Sequence, residues 1–251
     1  LGEPMSRSAA ATEAYLAAHQ ALASMLPAAG TPWLDHRRSS ARDQFRELGF
    51  PTLRDEQWKY TNVRSIIRQA FTLPPTESGW MDKGQVDAAA VPGMDTYRLV
   101  FADGILVPQL SRCDDLPKGV TVTGLADMLR TDPGRLEGEF GELLGEPTHG
   151  FNAMNSAFVC DGAFVEIGPG VVVDRPIELL FISATGGEAR LALPRNLVLL
   201  RAGSQATLHE RYMSASPARC LTNAVSEVLI EEDAKLHLGR LQEESDRSFH
   251  I

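Results

Sequence analysis

Val165-Glu166-Ile167-Gly168-Pro169-Gly170-Val171-Val172-Val173 is a pair of short β-branched runs on either side of a Gly-Pro-Gly turn. The form returns twice. Leu199-Leu200, the turn residues 201–205 and Ala206-Thr207-Leu208 make a second unit. Leu229-Ile230, Glu231-Glu232-Asp233 and Ala234-Lys235-Leu236-His237-Leu238 make a third. The turn centres at Pro169, Gly203 and Glu232 are 34 and 29 residues apart. A unit of that size cannot bury its apolar face alone, and does so by stacking on its neighbours. Short β-branched runs bounded by Gly, Pro and Asp, without long helices between them, favour a parallel β-helix over a βαβ sheet. Three unequal units leave one alternative open, an antiparallel sandwich with turns every 8–12 residues or so.

Working back towards the N-terminus, the period changes. Tyr97 to Phe101, Asp103-Gly104 and Ile105 to Val107 read as two strands around a tight turn. Gly119 to Thr123 is another strand, Leu125–Leu129 and Leu136–Leu144 read as short helices, and from Phe151 onward strand follows strand. The first ninety residues are helical instead. In Thr12 to Leu26, Tyr15, Leu16, Leu22, Met25 and Leu26 favour one face. A second helix from Asp35 to Leu48, with Asp35 as N-cap, carries the stripe Leu34, Arg38, Ala41, Phe45 and Leu48, and Gly49 and Pro51 stop it. Thr61 or Asn62 caps a third, short helix with Val63, Ile66, Ile67 and Ala70, ended by Pro74-Pro75. Residues 72–93, rich in Pro, Gly, Asp and Ala, read as a linker with one helical turn. The expected chain is therefore mainly β: an N-terminal helical domain with its linker over 1–93, then a β-helix core over 94–251.

The chain of 251 residues is 43% hydrophobic and 23% charged, ordinary for a soluble globular protein. A formal net charge of −9 argues against a nucleic-acid groove as the main surface. No apolar run approaches the roughly 20 residues that span a bilayer, and no secretory signal is legible, so the expected location is cytoplasmic. Three scattered cysteines without a Cys-x-x-Cys fit a reducing compartment.

Chemistry-bearing motifs are sparse. There is no Gly-x-Ser-x-Gly elbow, no Walker-type Gly-Lys-Ser/Thr and no Gly-x-Gly-x-x-Gly, so no catalytic residue is assigned and the chain is not expected to be an enzyme. A closed metal site is not expected either, since paired ligand spacings are missing. Weak candidates remain. Ala206-Thr207-Leu208-His209 and Ala234-Lys235-Leu236-His237 share a pattern that turns both histidines outward, about 5 Å apart if they stack in register. Cys220 follows Arg219, which would favour thiolate at an exposed site, while Cys160 reads as a small buried hydrophobe.

The remaining signal is Arg54-Asp55-Glu56-Gln57-Trp58-Lys59-Tyr60-Thr61, behind a Gly49-Phe50-Pro51-Thr52 turn. Two amphipathic aromatics within three residues suit a clasp between elements, and the flanking charges suit a solvated, mutually paired face. The motif Glu56-x-Trp58-Lys59-Tyr60-Thr61 resembles the N-terminal region of SufD-type members of the SufB/SufD family of iron–sulfur cluster assembly. Phe151-Asn152-Ala153-Met154-Asn155, Asp161-Gly162-Ala163-Phe164-Val165-Glu166-Ile167, Arg175-Pro176-Ile177-Glu178-Leu179, Asn223 to Val228 and Leu241-Gln242-Glu243-Glu244 resemble the core that both types share. The resemblance implies a right-handed parallel β-helix behind a helical domain. It implies a cytoplasmic scaffold that works with SufB and the ATPase SufC, or with a second copy of itself, and binds no nucleic acid or membrane. No cofactor is expected to be held intrinsically; an iron–sulfur cluster would reside transiently in the full complex. Arg247-Ser248-Phe249-His250-Ile251 reads as a strand cut short, so the chain resembles a family member lacking its C-terminal part. The competing class is a β-helical polysaccharide lyase or hydrolase, which would need secretion and stacking aromatics in the β region.

Overall fold

The computed structural model describes residues 7–73, 81–89, 93–183, 189–215, 217 and 219–251. Pro74-Pro75 lies outside them. Helix α1 (Arg7–Leu22) continues into a 3-10 turn at Ala23–Met25. It starts earlier than its apolar spacing predicts. Leu16 and Leu26 are buried as expected, but Met25 is exposed and His19 and Thr12 turn inward. Helix α2 (Pro32–Leu48) begins at a proline, which has no N–H to leave unpaired in the first turn. Asp35 is thus not the N-cap; from inside the first turn it accepts the Gly30 amide at 2.8 Å. Leu34, Arg38, Ala41 and Phe45 are buried along the expected stripe, whereas Leu48 is exposed.

Helix α3 (Arg64–Ile67) is a single turn, with Asn62 Oδ1 accepting the Arg64 amide. The segment expected as linker contains α4 (Lys83–Ala89), longer than one turn and anchored by Val86 and Ala89. Strands β1 (Tyr97–Ala102) and β2 (Ile105–Leu106) form the expected hairpin, with Asp103 and Gly104 both at positive φ, as a tight two-residue turn requires. After β3 (Val120–Gly124) come α5 (Leu125–Thr131) and α6 (Pro133–Leu136). The expected helix over Leu136–Leu144 is a series of turns.

Helix α7 (Gly150–Ala157) stands where strands were expected from Phe151. Phe151, Ala153, Met154, Asn155 and Ala157 are all buried and only Asn152 and Ser156 are partly exposed, so eight residues give too short a window for the helical period to stand out. Its start abuts the end of α2 so closely that a Cβ on Gly150 would lie 1.7 Å from the Gly49 carbonyl oxygen. Only glycine fits there.

The remaining strands are β4 (Ala163–Ile167), β5 (Ile177–Ser183), β6 (Arg190–Ala192), β7 (Arg195–Leu200), β8 (Gln205–Ser214), β9 (Cys220–Thr222), β10 (Val225–Ile230), β11 (Lys235–Glu243) and β12 (Phe249–His250). They form three open sheets, ordered β11-β8-β5-β1-β2, β10-β7-β4-β3 and β12-β9-β6. From β4 onward the chain visits the three sheets in rotation, and each strand pairs in parallel with the strand three places later. Among the described residues antiparallel strand pairing is confined to β1–β2 and β3–β4, which removes the sandwich alternative. The turns stack as well: Gly170 N–H donates to the Ala202 carbonyl, and Gly203 N–H to that of Glu232.

Alternation within each strand separates two layers of core. Leu99, Phe101, Leu179, Phe181, Val198, Leu208 and Tyr212 meet between the sheets. Leu197 and Leu199 face the opposite way onto Leu34, Leu125, Leu129 and Leu136, and Val100, Leu180 and Ile182 meet α4. Strands covered on both faces read as continuous apolar runs, as Leu179–Ile182 and Leu197–Leu200 do within β5 and β7. Between the sheets Phe101, Phe181 and Tyr212 lie in register and stack at 4.5 and 4.7 Å, the spacing of neighbouring strands. Each contact is worth about 0.5–1.5 kcal/mol beyond its burial.

Candidate functional site

The Glu56–Thr61 motif forms a 3-10 turn, Glu56–Trp58, at the junction of α2 and α7. Trp58 lies against His149 at 5.2 Å and Phe151 at 5.4 Å, and Phe151 contacts Phe50 in turn. His149 caps α7, its ring nitrogen Nδ1 accepting the Asn152 amide at 3.4 Å, and burial lowers its pKa. Trp58 is therefore the clasp. Tyr60 is not: it is 90% exposed, with Lys59 above its ring at 5.2 Å. Lys59 pairs with Glu56, and Asp55 accepts from the Thr52 amide at 2.6 Å, which supplies the paired charged face expected from the motif. Thr61 is exposed, its amide bonded to the Trp58 carbonyl at 2.8 Å. The motif presents one buried anchor and a solvent-facing Lys-Tyr-Thr.

His209 and His237 do turn outward, on β8 and β11, but they do not stack. The register sets His209 against Gly239 and His237 against Thr207, one step apart along the strands. The sequence match missed this because the pairing follows a thirty-residue advance, as in Glu210 with Arg240, rather than the 28 residues separating the two histidines. Among the described residues no three His, Cys, Asp or Glu side chains converge as a metal site. Cys220 is 1% exposed and burial pushes its thiol up to about 11, so Arg219 does not make it a thiolate. Burial pushes Cys160 and Cys113 up to about 11 in the same way.

The polar groups that organise this region were not singled out by motif. Arg195 and Glu227, on adjacent strands of one sheet, form a buried ion pair at 2.5 Å. Glu227 also accepts the amides of Gly141, Leu143 and Leu144, pinning the 137–147 segment over that sheet. Asn155 of α7 donates to the carbonyls of Pro194 and Asn223, and Asn223 donates back to that of Phe151. These asparagines bind the helix to two successive circuits of the sheets. A cleft of about 600 Å³ between α2 and the 137–147 segment is lined by Arg195, Arg37 and Glu142, the last two paired with each other. Leu238 and Leu241 of the edge strand β11 are exposed. The site so described is a set of surfaces and braces.

Residues 9–179 match the family described as the SufBD protein N-terminal region. The chain belongs to the SufBD family of iron–sulfur cluster assembly. Residues 181–251 match the SufBD core domain of the SUF system. An iron–sulfur cluster assembly SufBD family protein of Synechocystis is 29% identical over 87% of the chain and 49% of its own length. The iron–sulfur cluster assembly protein SufD of Escherichia coli is 27% identical over 83% of the chain and 46% of its own length. The chloroplastic protein ABCI7 of Arabidopsis thaliana is 25% identical over 90% and 47%. The chain thus spans about half the length of the curated SufBD relatives it matches. Among the described residues no helix is long and apolar enough to cross a membrane.

Proposed function

We propose that this SufBD chain is of the SufD type and acts as a cytoplasmic scaffold, not an enzyme, alongside homologues of SufB and the ATPase SufC. The observation that carries the reading is the Glu56-x-Trp58-Lys59-Tyr60-Thr61 motif within a SufBD N-terminal match that runs over residues 9–179. Trp58 has a structural task at the α2–α7 junction, while Tyr60 has no packing task in the isolated chain. We further infer that the rotation through three parallel sheets winds as a right-handed parallel β-helix. The stacked turns and the registers of β7 with β10 and β8 with β11 support that reading. An iron–sulfur cluster would then be cargo of the assembled complex.

The test is co-purification of the full-length protein with SufB and SufC homologues from the same source. A stable complex that takes up iron and sulfide is the expected result. Capture of neither homologue, together with cleavage of a polyuronate, would replace the scaffold reading with the glycan-cleaving one.

A further inference from the structure

Most arginines of this chain sit against carboxylates, as Arg46 does on Asp43, Arg175 on Asp115 and Arg201 on Glu139, Glu166 and Glu231. Arg7, Arg54, Arg64 and Arg68 do not: among the described residues none of the four has an ion-pair partner. They come from three segments, α1, the turn before the Glu56–Thr61 motif and α3, yet all four line one groove of about 630 Å³. Each of the four is exposed to solvent. Arg64 and Arg68 stand four residues apart along α3 and its C-cap, a spacing at which like charges repel. The acids nearest in sequence are engaged elsewhere. Asp55 accepts from the Thr52 amide and hydroxyl, and Glu56 pairs with Lys59.

Among the described residues no acidic and no aromatic side chain lines the groove. Its apolar lining is Pro51 and Val63, both buried, with the half-buried Ile67 and the 47% exposed Leu53. On a chain of net charge −9 this is a local positive surface with an apolar floor. Guanidinium groups pair with carboxylates through two parallel N–H···O bonds, and aliphatic side chains gain by leaving water for the floor. A single-stranded nucleic acid would call for aromatic platforms under its bases. A membrane surface would call for apolar side chains that project, whereas Pro51 and Val63 are sunk into the fold.

We propose that this groove docks an acidic, aliphatic segment of a partner protein, its carboxylates on Arg7, Arg54, Arg64 and Arg68 and its apolar side chains on the floor. Recognition of acidic motifs by clustered arginines is an established mode of peptide binding. The proposal rests on the groove alone and stands or falls apart from the scaffold reading.

The probe is a fluorescently labelled short peptide alternating glutamate and leucine, titrated into the chain at about 0.15 M salt, where distant surface charges are screened. Saturable binding that weakens with rising salt is expected. Arg64→Gln with Arg68→Gln should weaken it at least about tenfold, the sum of two exposed charge pairs. Arg219→Gln with Arg247→Gln makes the same charge change at exposed positions outside the groove and should stay within about twofold. Leu53→Glu, also exposed, sets a carboxylate among the arginines and should weaken the peptide as the first pair does. All these changes are at exposed positions, so the urea midpoint should hold. Replacing the peptide's glutamates by glutamine, or its leucines by serine, should weaken binding in each case. Absence of saturable binding, equal loss in the two arginine pairs, undiminished binding by Leu53→Glu, or a serine peptide as tight as the leucine one would each overturn the proposal. So would tighter binding of a single-stranded oligonucleotide or of phosphatidylserine vesicles.

Discussion

Arg195 and Glu227 face each other across adjacent parallel strands at 2.5 Å, with 1% and 2% of their side chains exposed. The carboxylate takes two guanidinium nitrogens and three backbone amides, so one side chain closes both the sheet and the 137–147 segment above it. Arg195 spends its remaining nitrogen on Asn155 and Ser156 of α7, at 3.3 and 3.2 Å.

Removing one partner leaves the other charged and unpaired in the interior. Glu227→Ala should cost about 3–5 kcal/mol, read as a fall in the denaturant midpoint. A double variant with Arg195→Met should recover part of that loss. A Glu227→Ala loss within about 0.5 kcal/mol, the range of an ordinary surface change, would deny the pair its bracing role.

The cap of α7 titrates. His149 must be neutral for Nδ1 to accept the Asn152 amide, and burial holds its pKa below the unfolded 6.5. The unfolded chain therefore binds more protons between the folded pKa and 6.5, and stability rises with pH through that window. His19 has the same sign. Stability should be full above pH 6.5 and decline as pH falls below it. His149→Asn retains a capping oxygen, so this variant should show a shallower decline, measured by urea unfolding from pH 7.5 to 5.5. An unchanged slope in His149→Asn would exclude the cap as its source.

All three thiols should be sluggish towards iodoacetamide at pH 8, because burial pushes each up to about 11. The effect should be greatest at Cys220, which is 1% exposed. Labelling should follow unfolding, as mass spectrometry at rising urea would show. Rapid labelling of Cys220 in the native chain would contradict its placement.

The two aromatics of the Glu56–Thr61 motif should separate by thermodynamics. Trp58→Ala removes contacts with His149 and Phe151 and should cost about 2 kcal/mol, short of the roughly 3–5 of a fully buried aromatic. Tyr60→Ala should stay within about 0.5 kcal/mol, since the ring is 90% exposed. Equal losses would mean that both rings are anchors.

Much of the architecture was legible locally. The turns centred on Pro169, Gly203 and Glu232 are seen because Gly, Pro and acidic residues interrupt β-branched runs, and those runs are strands wherever the chain was expected to stack, except that Val171–Val173 makes only an isolated bridge through Val172. The stripe Leu34, Arg38, Ala41 and Phe45 likewise announces a helix face, because 3.6-residue spacing is a property of the chain itself. Short, largely buried elements escape such reading. Helix α7 is eight residues long with six of them buried, so its period is too brief to tell helix from strand.

Register and counter-charge belong to the tertiary structure. The repeated Ala-x-Leu-His puts both histidines on outward faces, yet only the inter-strand hydrogen bonds decide that His209 meets Gly239. Sequence does not announce the pairing of Arg195 either, since it stands among Leu, Pro and Val with no acidic neighbour. Which carboxylate it finds depends on strands and helices far apart in the chain. From the sequence alone come the helical start, the strand-forming repeats and the family motif around Trp58. The pairing of Arg195 with Glu227 exists only once those distant segments are brought together.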